Sequence, residues 1–205
     1  MGPEETHEEI PREITPSPAR AGTAVKEGII NSLKGINEIE AQMVSLIRNT
    51  VSDTLKATGA VADETVNVTK GVLTGTFKAA EEVGNGLLLS AGSVAKGLIL
   101  GVSDVGGDVL GVAKQLAVGT VRESAAIGAD IGQVARTVLD GVIEAAKQTG
   151  ANVEEMAKVT VNGAIDAAGS IGNNAVKNVR EVLTNAVEGV KEIAGAALPK
   201  TKGNP

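Results

Sequence analysis

Few side chains in this 205-residue chain could perform chemistry. Cys, Trp and Tyr are absent, His7 is the single histidine and Phe77 the single phenylalanine. Disulfides, thiol or imidazole nucleophiles, His-based zinc sites and aromatic platforms for stacking bases are therefore excluded. Carboxylates remain. Asp104 and Asp108 stand at i and i+4, a spacing that puts both on one helix face and could hold a hard cation, although oxygen ligands nearby are few. Glu81-Glu82 and Glu154-Glu155 are adjacent and point to different sides of a helix, which is wrong for paired acid-base work. Lys34-Gly35, Lys70-Gly71 and Lys96-Gly97 run opposite to the Gly-Lys order of a phosphate loop, and Gly84-Asn85-Gly86 lacks the third glycine of a dinucleotide fingerprint. The expectation is no catalytic, cofactor or metal site, and no enzyme.

What recurs is a row of cations. Lys26, Arg48, Lys70, Lys114, Arg136, Lys158 and Arg180 lie on a 22-residue spacing that only Gly92 interrupts. With a formal net charge of -6, the chain is poorly suited to a nucleic acid held by counterion release. Glycine keeps the same period twice. One series is Gly75, Gly97, Gly119, Gly141 and Gly163; the other is Gly84, Gly106, Gly128, Gly150 and Gly172. Residues 134 to 155 align with 156 to 177 without a gap, so that Val134, Gly141, Ile143, Ala146 and Gly150 match Met156, Gly163, Ile165, Ala168 and Gly172.

The elements that must carry this row are helices. Twenty-two is twice eleven, and eleven residues make three turns, so an apolar stripe stays on one side with little supercoiling. Val25, Ile36 and Ile47 form one eleven-residue row, Leu33, Val44 and Leu55 another, and Val72, Val83, Val94, Val105, Leu116, Ile127 and Val138 a third. Asp140, Glu144, Glu155, Asp166, Lys177 and Glu188 fall on the opposite side, with the Lys/Arg row at the border. A β-solenoid could also use a 22-residue coil, and residues 65 to 77 have some strand character. Runs such as ESAAIGADIGQVARTVLDGVIEAAKQ do not alternate at period two and favour helix. The fold class expected is all-α: long amphipathic helices, either one rod of about 260 Å or a chain folded into hairpins. The second glycine series is followed two places on by Gly86, Asp108, Asp130, Asn152 or Asn174, the order of a helix stop followed by an N-cap.

Three segments follow from composition. Residues 1 to 22 hold four of the six prolines and five glutamates and read as a disordered acidic tail. Residues 23 to 198, without proline, are the helical repeat region, and residues 199 to 205 a frayed end. The longest charge-free apolar run, Val83 to Ala95, stops at Lys96, short of the roughly 20 residues a membrane helix needs. The acidic start MGPEETHEEI has no apolar h-region, so a cytoplasmic location is expected.

Each glycine inside a helix costs about 1 kcal/mol relative to Ala, so the stripe must be buried against something to compensate. A lipid or polymer surface, a second copy, or the chain itself could supply that contact. The series Gly84, Gly106, Gly128, Gly150 and Gly172 would act either as hinges or as notches admitting another helix. The Lys/Arg row would snorkel from an apolar interface to water.

Val25-Lys26-Glu27-Gly28-Ile29, Val68-Thr69-Lys70-Gly71-Val72 and Glu188-Gly189-Val190 resemble the K-x-K-E-G-V eleven-residue repeats of synucleins, and the Ala/Gly/Thr-rich stripe is similar to perilipin eleven-mers. Size, helicity and lack of cysteine also resemble bacterial phasins. This resemblance covers about 170 residues, with fewer lysines than synuclein repeats, and implies a non-enzymatic protein coating a lipid body, storage granule or membrane interface. The alternative is a homo-oligomeric helical bundle or filament with a structural role.

Overall fold

The computed structural model describes residues 18–58, 61–83 and 87–187, with side chains placed from residue 35 onward apart from 62, 63, 82, 83, 185 and 187. Among them all regular structure is α-helix: α1 (Pro18–Thr58), α2 (Val61–Val83), α3 (Leu87–Ser103), α4 (Val109–Ala126), α5 (Ile131–Thr149), α6 (Val153–Ile171) and α7 (Asn173–Val187). The chain divides into two compact units, Met1–Glu38 and Ile39–Pro205. The first contributes to the description only the opening part of α1, where Ile36 is exposed. The second holds the rest of α1 and all the other helices.

Hairpins, and not a single rod, are what the second unit adopts. Helices α3 to α6 start at Leu87, Val109, Ile131 and Val153, 22 residues apart. Gly106, Gly128 and Gly150 have φ of 69, 71 and 72°, the left-handed conformation that ends a helix at low cost only in glycine. Beyond each, the next amide turns back to a carbonyl of the helix just completed: Gly107 donates to Val102, Ala129 to Ser124 and Ala151 to Ala146, at 3.0, 2.9 and 3.1 Å. The next helix is then capped by Asp108, Asp130 or Asn152, whose side-chain oxygen accepts from Gly111, from Gly132 and Gln133, or from Glu155. Gly172 turns differently, at φ 147°. There α7 begins at once with Asn173, so Asn174 lies inside the helix and is not the cap its position suggests. A Cβ added at any of these four glycines would meet nothing within 4 Å. They are hinges, and the helix notches lie elsewhere. Gly84 and Gly86 lie outside the described residues.

The most extensive helix contacts are α3 with α5 and α4 with α6, wider than those between consecutive helices; α5 with α7 and α2 with α4 continue the pattern. Helices therefore stack two places apart in two layers of a helical bundle, α3, α5 and α7 in one and α2, α4 and α6 in the other. Glycine permits the stacking. An added Cβ would lie 2.5 Å from the Gly92 carbonyl oxygen at Gly141, 2.9 Å from that of Lys114 at Gly163, 2.7 Å from Leu73 Cδ1 at Gly119, and 2.8 Å from Ile47 Cβ at Gly97. At Gly97, Gly141 and Gly163 the neighbouring backbone itself approaches too closely for a side chain to fit, whereas at Gly119 the space is taken by the end of the Leu73 side chain. These are four of the five members of the first glycine series; at Gly75 an added Cβ would meet nothing within 4 Å.

Among the described residues, most of the apolar stripe is consequently buried within the chain, Ile36 and Ile127 excepted. Val44, Leu55, Phe77, Val94, Leu98, Ile99, Leu116, Val138 and Met156 belong to one buried cluster, and Val121, Leu139, Ala164, Val179 and Leu183 to a second. Ala and Val fill the space between helices that bulky aromatics would have held apart.

Gly141→Ala should lower stability by about 1–3 kcal/mol, because the methyl must push α5 off the α3 backbone. Gly169→Ala, on the exposed side of α6 with nothing within 4 Å, should raise it by up to about 1 kcal/mol through helix propensity alone. Urea denaturation of the two variants checks the pair.

Candidate functional site

Helices stacked two places apart bring together residues 44 apart, so the 22-residue cation row divides between the layers. Lys70, Lys114 and Lys158 stand on α2, α4 and α6, all exposed; Arg48, Arg136 and Arg180 stand on α1, α5 and α7, with Gly92 on α3. One layer carries lysine, the other arginine. The side chain of Lys26 lies outside the described residues.

Of the arginines, Arg48 makes a contact between elements. Arg48 donates from Nε and Nη2 to the two carboxylate oxygens of Asp104, at 2.6 and 2.7 Å, tying α1 to the turn between α3 and α4. This paired hydrogen bond holds the Asp104 carboxyl below its ordinary range and raises the Arg48 guanidinium. Arg136 approaches Asp140 on its own helix at 3.8 Å. Arg180 is half-buried with its Nε unpartnered. The possible Asp104–Asp108 cation pair is thereby spoken for: Asp104 holds Arg48, and Asp108 caps α4. Among the described residues no three acidic or His side chains gather as a metal site would require. Glu154 and Glu155 are exposed in the first turn of α6, and a contact absent from the sequence pattern, Lys96 Nζ to Glu144 Oε1 at 2.5 Å, links α3 to α5.

The lysines are arranged otherwise. Lys70 and Lys114 line one groove of about 430 Å³ between α2 and α4, together with Arg122. Its apolar lining comes from Val66, Leu73 and Val118, and Glu123 is the single acid among the lining residues. The Lys114 stem lies beside Gly163 of α6, which leaves the ammonium at the exposed end. Thr69 also lines the groove; it is 1% exposed and its hydroxyl has no hydrogen-bond partner. Three cations and one acid over an apolar floor can hold an anion that carries a hydrocarbon part. Arg122 and Thr69 are the members that periodicity could not reveal, since 22 residues on either side of Arg122 stand Leu100 and Glu144.

No family model matches the chain, and no curated protein or solved structure matches it either.

Asp104→Asn should destabilise the protein at pH 7 by about 1 kcal/mol or less, the range of a partly exposed ion pair. Because the Asp104 pKa is depressed by folding, its contribution is complete above the ordinary carboxylate pKa near ~4 and vanishes as pH falls through the lower folded value. Urea melts of variant and parent should therefore differ at neutral pH and converge in acid.

Proposed function

We propose that the protein is a non-enzymatic, peripheral lipid-surface protein that attaches while folded, through the α2–α4 groove. The observation that carries this reading is the gathering of Lys70, Lys114 and Arg122 around Val66, Leu73 and Val118 in a chain whose net charge is -6. Anionic headgroups meet the cations, lysine stems cover apolar surface, and the groove takes the start of a hydrocarbon chain. Among the described residues no helix is long and apolar enough to cross a membrane, which fits attachment from one side.

This reading keeps the lipid surface expected from the synuclein-like and perilipin-like pattern but changes the form that meets it. An extended helix would have to expose Val94, Leu116 and Val138, each at most 1% exposed in the fold, and burying such a side chain stabilises by about 1.5–3 kcal/mol. A second reading, a self-assembling structural scaffold, is favoured by an uncovered apolar groove between α1 and α2, lined by Met43, Leu46 and Val72.

Flotation with phosphatidylglycerol vesicles, compared with phosphatidylcholine vesicles, tests the proposal. Binding should prefer the anionic vesicles, weaken with salt, and leave the helical circular dichroism signal unchanged. Lys70→Glu/Lys114→Glu should reduce the vesicle-binding constant by about thirtyfold or more, at roughly 1 kcal/mol per basic residue near the surface. Equal binding by parent and variant, or no binding to either vesicle, would overturn it.

A further inference from the structure

The series Gly97, Gly119, Gly141 and Gly163 receives, in each case, the helix two places earlier. At Gly163 the close atoms belong to Lys114 and Ala117; at Gly141 to Gly92 and Ala95; at Gly119 to Leu73. The occupants stand 49 and 46 residues before the glycine. In the α1–α3 pair the same kind of contact is displaced by one helical turn, with Val44 and Ile47 at Gly97. Gly75 of α2 is the first member of the series, and a Cβ there would meet nothing within 4 Å. It lines instead an apolar groove of about 340 Å³ with Met43, Leu46, Val72 and Ala79. Leu46 at the groove is 68% exposed and Ile39, two turns earlier on α1, 51%. Among the described residues, a packing site filled at four of these glycines is open at the fifth.

The register names its occupant. The residues 49 and 46 before Gly75 are Lys26 and Ile29. Lys26 also carries the residue type of that layer, since 26, 70, 114 and 158 are all lysine while 48, 136 and 180 are all arginine. The segment around Lys26 is thus of the α2, α4, α6 kind. No turn divides it from the rest of α1. Where the hinge glycines and the caps two residues beyond them recur, the first copy has Glu40 and Gln42, and the second has Ala62 and Glu64 with the break falling earlier, between Thr58 and Val61. Helix α1 accordingly runs on unbroken for 41 residues, one 22-residue period longer than the 19 of α5 and α6.

We infer that two copies of the chain form a symmetric dimer in which the first half of α1 of each copy packs into the Gly75 groove of the other. The exchange is reciprocal, so the contact closes on itself and does not propagate. It uses the α1–α2 groove and is independent of the α2–α4 groove and its ligand.

The full chain, which has no cysteine of its own, allows a direct test. Light scattering during gel filtration should show a mass rising with concentration from that of one chain, 20.6 kDa, to twice that value. Ile29→Cys chains mixed with Gly75→Cys chains should form a covalent dimer containing one of each on oxidation. A Cβ at Gly75 meets nothing within 4 Å in the single chain and leucine adds helix propensity, so the thermal stability of Gly75→Leu should hold while its dimerisation weakens about tenfold or more, as a filled notch requires. Rebuilding the turn with Glu40→Gly/Gln42→Asp should lower the dimer fraction by letting the segment return to its own chain. A mass of one chain at every concentration, absence of the mixed disulfide, an undiminished Gly75→Leu dimer or an unchanged dimer fraction in the rebuilt-turn variant would overturn the inference.

Discussion

Close approach of backbones at glycine is the constraint on which the rest of the second unit depends. At Gly141 the space for a methyl is already taken by the Gly92 carbonyl oxygen, and at Gly163 by that of Lys114. Helices so near one another can be cemented by Ala and Val, whose small volumes match the narrow gap. A chain with a single phenylalanine thereby fills two buried clusters. The glycine that weakens an isolated helix by about 1 kcal/mol is the residue that lets neighbouring helices bury one another. Helix propensity and packing pull in opposite directions at these positions, and packing prevails because each notch brings a whole helix face into contact.

The turns supply the second half of the design. A left-handed glycine, a returned amide and an Asp or Asn cap follow one another at the ends of α3, α4 and α5. Each satisfies the unpaired groups at one helix end and the start of the next. Repetition of the same turn gives successive helices the same change of direction, and stacking two places apart results. The arginine layer is then pinned by Arg48 on Asp104 and the α3–α5 pair by Lys96 on Glu144, whereas Lys70, Lys114 and Lys158 face outward.

The helical class, the 22-residue spacing and the cap positions Asp108, Asp130 and Asn152 are all readable from residue order, because turn chemistry is local. The choice between hairpins and a rod was open at that level, and so was the division of labour between the two glycine series. Both depend on contacts about 46 residues apart, and a single stripe cannot say which surface it meets. Ile127 shows the limit: it sits in the same eleven-residue row as Val94, Leu116 and Val138, yet it is 41% exposed because the chain turns there. Within the candidate groove, Lys70 and Lys114 were visible as members of a row. Arg122 and Thr69 were not, since they enter through the α2–α4 juxtaposition and repeat nowhere else.

The alternation of layers has a bearing on how such a chain could lengthen or shorten. Excising a single turn-and-helix unit would transpose every later helix to the opposite side of the stack, setting lysine where arginine stood and parting Asp104 or Glu144 from its counterpart. Removing two adjoining units restores parity. The smallest change of length that leaves the two layers in place is therefore a pair of helices.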